Sequence, residues 1–294
     1  DDSLRLGARY AVDTLDTRLP GALSLEQWRA NPRQTNTPDD SAVIKNERGA
    51  VFAELQLTDW QLAFDVGSRT KSLVNDYTAY GSRSRYAYDI DAQNAGLRAQ
   101  HEASLGSARN QLQMGTDHAE WNRTVLGNWG SVANQSSHAW YIKDDVTLTG
   151  AGTRLSTGWR TERLSKSNTG ASAPYSDDMQ AWEIGLSQVL PFNWTVYGRL
   201  GSSFRLPNVD EFGYTSPGVS LLPQTSRDAE LGARWKQDRA TLDARVYRNK
   251  LNNEIGFNPV AEDPFSSPYY DGANINFAPT QRQGIEIDVR YQFG

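Results

Sequence analysis

Apolar and charged residues alternate one for one along much of this chain, and the segment 229–248, AELGARWKQDRATLDARVYR, shows the rule in one place. Ala229, Leu231, Ala233 and Trp235 alternate with Glu230, Gly232 and Arg234. After Lys236-Gln237-Asp238-Arg239 the alternation resumes, with Ala240, Leu242, Ala244 and Val246 against Thr241, Asp243, Arg245 and Tyr247. A period of two puts successive side chains on opposite faces of an extended strand, so the segment reads as a hairpin with one apolar and one charged face. Every other strand also has an apolar face, and there is no second apolar layer or helix to cover it. A closed sheet with its apolar side toward lipid and its charged side around a wet interior meets both conditions.

The same rule organises the rest. Leu4, Leu6, Ala8, Tyr10 and Val12 alternate with Arg5, Gly7 and Arg9 in a first strand, followed by a long polar insert from Thr14 to Arg48. Within it Ser24 and Gln27 have capping-box spacing and Asn31-Pro32 would stop the helix, which predicts one short helix in a loop. Residues 50–57 and 60–68 predict a hairpin across Thr58-Asp59, then a loop around Val74 to Gly81. In the long strand from Tyr86 to Ala103 the apolar parity slips near Gln93-Asn94, which predicts a bulge. The return strand runs from Gln111 to Trp121, followed by a loop from Arg123 to Ala133. Trp140, Ile142, Val146 and Leu148 then lead through the turn Gly150 to Gly152 to Leu155, Thr157 and Trp159, with Asp144 on the apolar parity without evident reason. After a loop from Ser165 to Asp178, Trp182, Ile184 and Leu186 pair through Pro191-Phe192-Asn193 with Trp194, Val196 and Leu200. Leu206 to Arg227 and Asn249 to Thr280 are further long loops on either side of the opening hairpin. The last strand has Ile285, Ile287, Val289, Tyr291 and Phe293 on one face and Glu286, Asp288 and Arg290 on the other.

About twelve strands result, most of them near the 9–11 residues that a tilted membrane strand needs. Connections alternate between tight turns and long loops, the pattern of an outer-membrane barrel. Composition changes this picture little. A net charge of -5 gives no reason to expect nucleic acid. A mean hydropathy of -0.65 carries no weight against a barrel, whose strands are half polar and whose loops are fully so. Nine Trp, thirteen Tyr and nine Phe suit aromatic girdles at two membrane interfaces. Cysteine is absent, which excludes disulfides and thiolate metal sites.

Catalytic chemistry is sparse. His101, His118 and His138 are the only histidines, none paired at a helical ligand spacing, and each reads as a rim or interface residue. A barrel phospholipase would need a serine beside a histidine on the outer wall, but His101 and Ser104 fall on opposite faces of a strand. No phosphate loop is present. No enzyme activity, cofactor or metal site is therefore expected. Arg199, Arg205, Glu230, Arg234, Asp243, Arg245, Glu286, Asp288 and Arg290 form a set of inward charges. Opposite signs facing each other across strands predict a solvated, self-paired wall.

Four ordered segments carry a family resemblance. SSFRLPNVDEFGY at 202–214 is similar to a strand-end pattern F-R-x-P-x-x-x-E-L/F of TonB-dependent outer-membrane receptors, matched by Phe204, Arg205, Pro207, Glu211 and Phe212. Leu222-Pro223-Gln224-Thr225-Ser226 with Glu230-Leu231-Gly232 resembles that family's L-x-P-E-x-x-x-x-E-L-G step, with Gln224 in place of Glu. Tyr247 to Ile255 resembles F-x-x-x-I-x-D-x-I, and Arg282 to Ile287 resembles R-G-x-E-L with Gln283 as an extra residue. Upstream, Leu19 to Leu23 with Trp28 to Gln34 resembles an extracellular loop of such receptors, and Trp140 to Arg160 a mid-barrel hairpin.

The resemblance implies an all-β, antiparallel up-and-down transmembrane barrel in the outer membrane. It also implies that residues 1–294 are a single barrel segment of a 22-stranded whole, with the plug and its TonB-binding part elsewhere. Ile285 to Phe293 also resembles a C-terminal barrel-assembly signal, from which Gly294 departs; a passive porin or complete twelve-stranded pore is the alternative reading. A soluble all-β propeller is disfavoured, because no repeat of blade length is found. The resemblance implies active import of a scarce solute such as a ferric siderophore or other metal chelate, with TonB and outer-membrane lipid as partners. Ligand contacts are then expected where an aromatic platform and a charge share a loop or rim: Trp28 with Arg33, Trp129, Arg205 with Asp210, Glu211, Phe212 and Tyr214, and Tyr269-Tyr270-Asp271.

Overall fold

The computed structural model describes residues 3–79, 81–127, 130–169, 174–264 and 271–293. The alternating segments form one antiparallel sheet of twelve strands: β1 (Ser3–Arg18), β2 (Ser41–Gln56), β3 (Trp60–Ala79), β4 (Ser82–Leu105), β5 (Ala108–Leu126), β6 (Ser131–Leu148), β7 (Thr153–Asn168), β8 (Tyr175–Leu190), β9 (Trp194–Arg205), β10 (Gln224–Gln237), β11 (Ala240–Asn252) and β14 (Thr280–Tyr291). Each strand pairs with its sequence neighbour, and β14 pairs with β11. The loop after β1 carries α1 (Leu25–Ala30), that after β9 carries α2 (Val209–Gly213), and β12 (Ile255–Asn258) with β13 (Ala273–Asn276) makes a separate two-stranded sheet between β11 and β14. Among the described residues β1 pairs only with β2 and β14 only with β11.

One face of this wall is apolar and uncovered. Leu231, Val246, Ile287 and Val289 are 63, 47, 67 and 71% exposed. Leu6, Phe64, Leu97, Ile142, Ile184 and Leu200 continue the face across the other strands, all exposed. A contiguous apolar surface of this extent is untenable in water and is what a bilayer requires. Aromatics bound it at two levels. Trp60, Trp194, Trp235 and Tyr291 stand beside the short turns, while Trp140 and Trp182 stand higher. Trp182 opposes Ser202, so positions 194 to 202 of β9 separate the levels, about 20 Å of height for a strand tilted near 40°. Asp144, on this same face, is met by Asn110 from the adjacent strand, whose Nδ2 donates to Oδ1 at 2.5 Å.

Three expectations are corrected by the strands themselves. They run from 12 residues in β9 to 24 in β4, longer than a bilayer needs. The described residues of segments 74–81, 123–133 and 165–178, expected as loops, are largely ladder, and β2 begins at Ser41 inside the expected polar insert. Outside the bilayer both faces of a strand are wet, so apolar alternation lapses while backbone pairing continues. The same cause accounts for the parity slip in β4. The register from Trp60↔His101 to Ala79↔Ser82 is unbroken, as is Ala87↔Leu126 to Leu105↔Ala108, so there is no bulge at Gln93-Asn94. The slip marks the height at which β4 leaves the hydrocarbon, about eleven residues above its turn. The short helix forms as expected: Ser24 Oγ accepts from Gln27 N at 3.2 Å and Gln27 Oε1 from Ser24 N at 2.9 Å.

The other face is polar and lies against itself. Arg234 pairs with Asp243 at 2.6 Å, Arg199 with Glu183 at 3.7 Å, and Arg245 with both Glu286 and Glu230. Four aromatic rings lie over the glycine directly opposite on the next strand: Phe52 on Gly7, Tyr141 on Gly115, Tyr197 on Gly232 and Tyr247 on Gly284. At each of these glycines an added Cβ would meet the ring at less than contact distance. Each ring therefore lies flat on the wall rather than standing into the interior. A cleft of about 450 Å³ on this face is lined by Lys143, Arg160, Glu183, Arg199, Asp228 and Asn249.

Candidate functional site

The turns at 57–59, 106–107, 149–152, 191–193 and 238–239 fall at one end of the wall, whereas the short connections that join β3 to β4 and β5 to β6 fall at the other. The opposite end also carries the long connections 19–40, 206–223 and 253–279, and the described residues of the last two form one packed body.

That body begins where β9 ends. Pro207 cannot extend the ladder, and Asn208 turns the chain into α2 through a capping box: Asn208 Oδ1 accepts from Glu211 N and Glu211 Oε2 from Asn208 N, both at 2.8 Å. Arg205 closes the turn, donating from Nη1 to the two Glu211 carboxylate oxygens at 3.1 and 2.8 Å and from Nη2 to the Ile255 carbonyl at 3.3 Å. Asp210 reaches back to Arg123 of β5 at 2.7 Å. Phe212, 4% exposed, packs on Tyr175 of β8 at 6.3 Å between ring centres. Beneath them Lys166 of β7, also 4% exposed, donates to the Pro207 carbonyl. Lys166 is above the membrane levels of the wall, and burial pushes its ammonium down to about 8 against the pull of Glu211. The Tyr175 hydroxyl is pushed up by burial and by donating to Asp177 at 2.8 Å.

The second long connection is sewn onto the first. Asn274 N donates to the Tyr214 carbonyl at 2.8 Å, and Ser216 Oγ to the Glu262 carbonyl at 2.6 Å. Asn276 Oδ1 accepts from Leu222 N at 2.7 Å while its Nδ2 donates to the carbonyls of Leu222 and Asn253. Leu221 is fully buried in the seam. Glu254 accepts from Thr280 Oγ1 at 2.7 Å and from Arg282, which together hold its carboxyl below the usual range. The surface so built is aromatic: Phe257 is exposed and lies 6.3 Å from Tyr214 at a shallow 33°, with Phe277 exposed on the same hairpin.

Of the expected ligand residues, Arg205, Asp210, Glu211, Phe212 and Tyr214 are thus brought together, and four of them hold the loop in place. Trp28 and Arg33 are exposed on the β1–β2 connection, several strands away. Trp129, Tyr269 and Tyr270 lie outside the described residues. Lys166, Arg123 and Tyr175 were not anticipated, because they come from strands distant in sequence with no motif. Asn208-x-x-Glu211 is the same capping signal as Ser24-x-x-Gln27 and was legible. Phe257 and Phe277 carried only the general signal of aromatics in a long loop. Among the described residues no group of three or more His, Asp or Glu converges as a metal site. His118 and His138 do meet, ring centres 6.2 Å apart, on the apolar face just above Trp140.

Comparison with known proteins follows the same lines. A family model described as "TonB dependent receptor-like, beta-barrel" matches residues 1–294. The vitamin B12 transporter BtuB of Vibrio vulnificus (strain YJ016) is 23% identical over 271 residues, covering 82% of this chain and 42% of that protein. The ferric citrate transporter FecA in its unliganded form superposes with a TM-score of 0.76 at 15% identity, over 96% of this chain and 45% of that one. The ferric-catecholate import receptor Fiu of K12 E. coli, in its closed form, gives 0.70 at 14% identity, over 100% and 53%. The chain therefore spans about half the length of the proteins it resembles.

Proposed function

The chain belongs to the family of TonB-dependent receptor-like β-barrels of the outer membrane, and from that premise we propose that it forms the wall and outer loops of an active importer. In this reading residues 1–294 are one membrane-spanning segment of a larger, 22-stranded barrel that works with a plug and with TonB. The cargo is a scarce metal chelate such as a ferric siderophore, captured at the loop rim. The observation that carries this reading is the body made from 206–223 and 253–279. It is a rigid, aromatic-faced platform at the long-loop end, standing above a polar, self-paired wall.

Arg205, Asp210, Glu211 and Phe212 set the platform, and Tyr214, together with Trp28, Arg33, Trp129, Tyr269 and Tyr270 from connections around the rim, supplies ligand contact. A passive pore is the weaker reading, since the similar proteins are named as transporters and an import receptor. No catalytic role is proposed. Cobalamin, the cargo named for the Vibrio relative, is the second candidate.

The test is uptake of labelled ferric chelates and of labelled cobalamin by cells whose only receptor of this kind is the intact protein. Accumulation that requires TonB and saturates at low concentration is expected. Uptake that is unsaturable and indifferent to TonB would overturn active import in favour of a pore.

A further inference from the structure

On the apolar face of β10 and β11, just above the hydrocarbon level, three cations stand together with no carboxylate beside them among the described residues. Arg227 of β10 is directly opposite Lys250 of β11, and Arg248 lies one rung below, opposite Ala229. All three are exposed. Like charges directly opposite on a ladder destabilise it unless an anion intervenes. The polar side chains around them are neutral: Ser202 opposes Arg227 on β9, while Gln281 and Gln283 oppose Lys250 and Arg248 on β14. Arg248 donates to Gln281 Oε1 at 2.6 Å, and Gln281 donates to Gln283 Oε1 at 3.0 Å. The carboxylates adjacent in sequence, Asp228, Glu230 and Glu286, have the opposite parity and serve the polar wall. Elsewhere on this face Arg85 pairs with Asp76 at 3.6 Å, and His118 lies 3.3 Å from Glu120.

Immediately below the three cations lie Leu200, Leu231, Val246 and Ile285, all exposed, with Trp182 on the flank. We propose that Arg227, Arg248 and Lys250 bind the phosphate groups of an anionic outer-leaflet lipid whose acyl chains lie along the apolar residues beneath. Charge complementarity and depth select this occupant: a headgroup phosphate sits at the height of the cations, and the same molecule's chains cover the surface below. Gln281 and Gln283 hold Arg248 in place and offer amide donors to the same oxygens. Contact of this face with lipid, as read above, is the premise.

The experiment uses the intact protein in phosphatidylcholine nanodiscs doped with diphosphoryl lipid A or with its dephosphorylated counterpart, bound lipid being counted by native mass spectrometry. The unaltered protein is expected to retain the phosphorylated lipid selectively. Each cation replaced by Gln should weaken retention on the order of fivefold, so that Arg227→Gln, Arg248→Gln and Lys250→Gln together abolish the preference. Arg227→Lys with Arg248→Lys should keep it, and Arg163→Gln, in another sector, should not change it. Where the triple variant does not fold, the single variants Arg227→Gln and Lys250→Gln carry the test. Equal retention of both lipids before and after substitution would overturn the site, as would full displacement by millimolar inorganic phosphate, which would mark a site for the free ion. Failure to hold any lipid, or to enter the nanodisc at all, would instead strike at the premise.

Discussion

Replacing Leu231 by Arg separates a lipid-facing wall from a water-facing one by energy. Leu231 is 63% exposed, opposite Gly198 on β9 and Val246 on β11, so an Arg there meets no protein neighbour that would clash. In water such a surface substitution is worth within about ±0.5 kcal/mol. Leu231 stands seven residues up from the turn at Asp238, roughly 18 Å above it for a strand tilted near 40°, and midway between Trp235 and Arg227, near the middle of a layer about 25–30 Å thick. There an Arg on the lipid face costs about 2–4 kcal/mol, which lowers the folding constant by roughly 30- to several hundred-fold. The assay is reversible denaturant unfolding in phosphatidylcholine vesicles, read by tryptophan fluorescence, with Thr241→Arg on the polar face as comparator. Thr241→Arg is expected to cost less than about 1 kcal/mol, because its side chain borders the cleft of the polar face, where repulsion from Lys236 and Arg290 directly opposite is screened by solvent. Equal costs for the two variants would refute the assignment of faces.

Three further outcomes follow from the loop body and the inner wall. The folded state holds Lys166 near 8 while an unfolded lysine titrates at 10.5, so the unfolded chain binds the extra proton between those values and stability rises with pH across that window. Relative to Lys166→Met, the parent should gain about 1–2 kcal/mol between pH 7.5 and pH 10, allowing for solvent screening; a flat difference in unfolding free energy contradicts the buried placement. Glu211→Ala removes both the capping box and the Arg205 partner and should loosen α2 by about 1–2 kcal/mol, seen as faster hydrogen exchange at the Phe212 amide, whereas Glu211→Gln, which keeps the cap, should lose less. Gly232→Ala must displace the Tyr197 ring and break its 2.9 Å bond to Asp243, at a cost of about 1–3 kcal/mol in the same unfolding assay; an unchanged midpoint would show that the ring does not lie there.

The strands were legible wherever one face meets hydrocarbon and the other does not, because only that contrast writes a period of two into the residues. Leu231, Val246, Ile287 and Val289 are plain from sequence for that reason. The upper halves of β3 to β8 were not: Asn75, Asp89, Asn122 and Ser167 sit in unbroken ladders whose two faces are both wet, and nothing in residue type distinguishes them from loop. The site divided similarly. The segment 202–214 was marked by its resemblance, yet the roles of its residues were not, since Asp210 and Phe212 acquire theirs from Arg123 and Tyr175, far away in sequence. A ligand platform made by two loops folding onto each other is a long-range event, and no local spacing encodes it.

Residues 1–294 hold no cysteine, so once any cysteine elsewhere in the intact protein is replaced by Ser, a single nitroxide label can be placed at each position in turn along 240–248 and 284–290 of the membrane-inserted protein. Collision rates with dissolved oxygen and with a water-soluble nickel chelate then report which solvent each side chain meets. Labels at 242, 244, 246, 285, 287 and 289 should relax faster with oxygen and those at 243, 245, 286 and 288 with the chelate, alternating residue by residue. Accessibility that fails to alternate, or that alternates with the opposite sense, would contradict a wall with lipid on one side and water on the other.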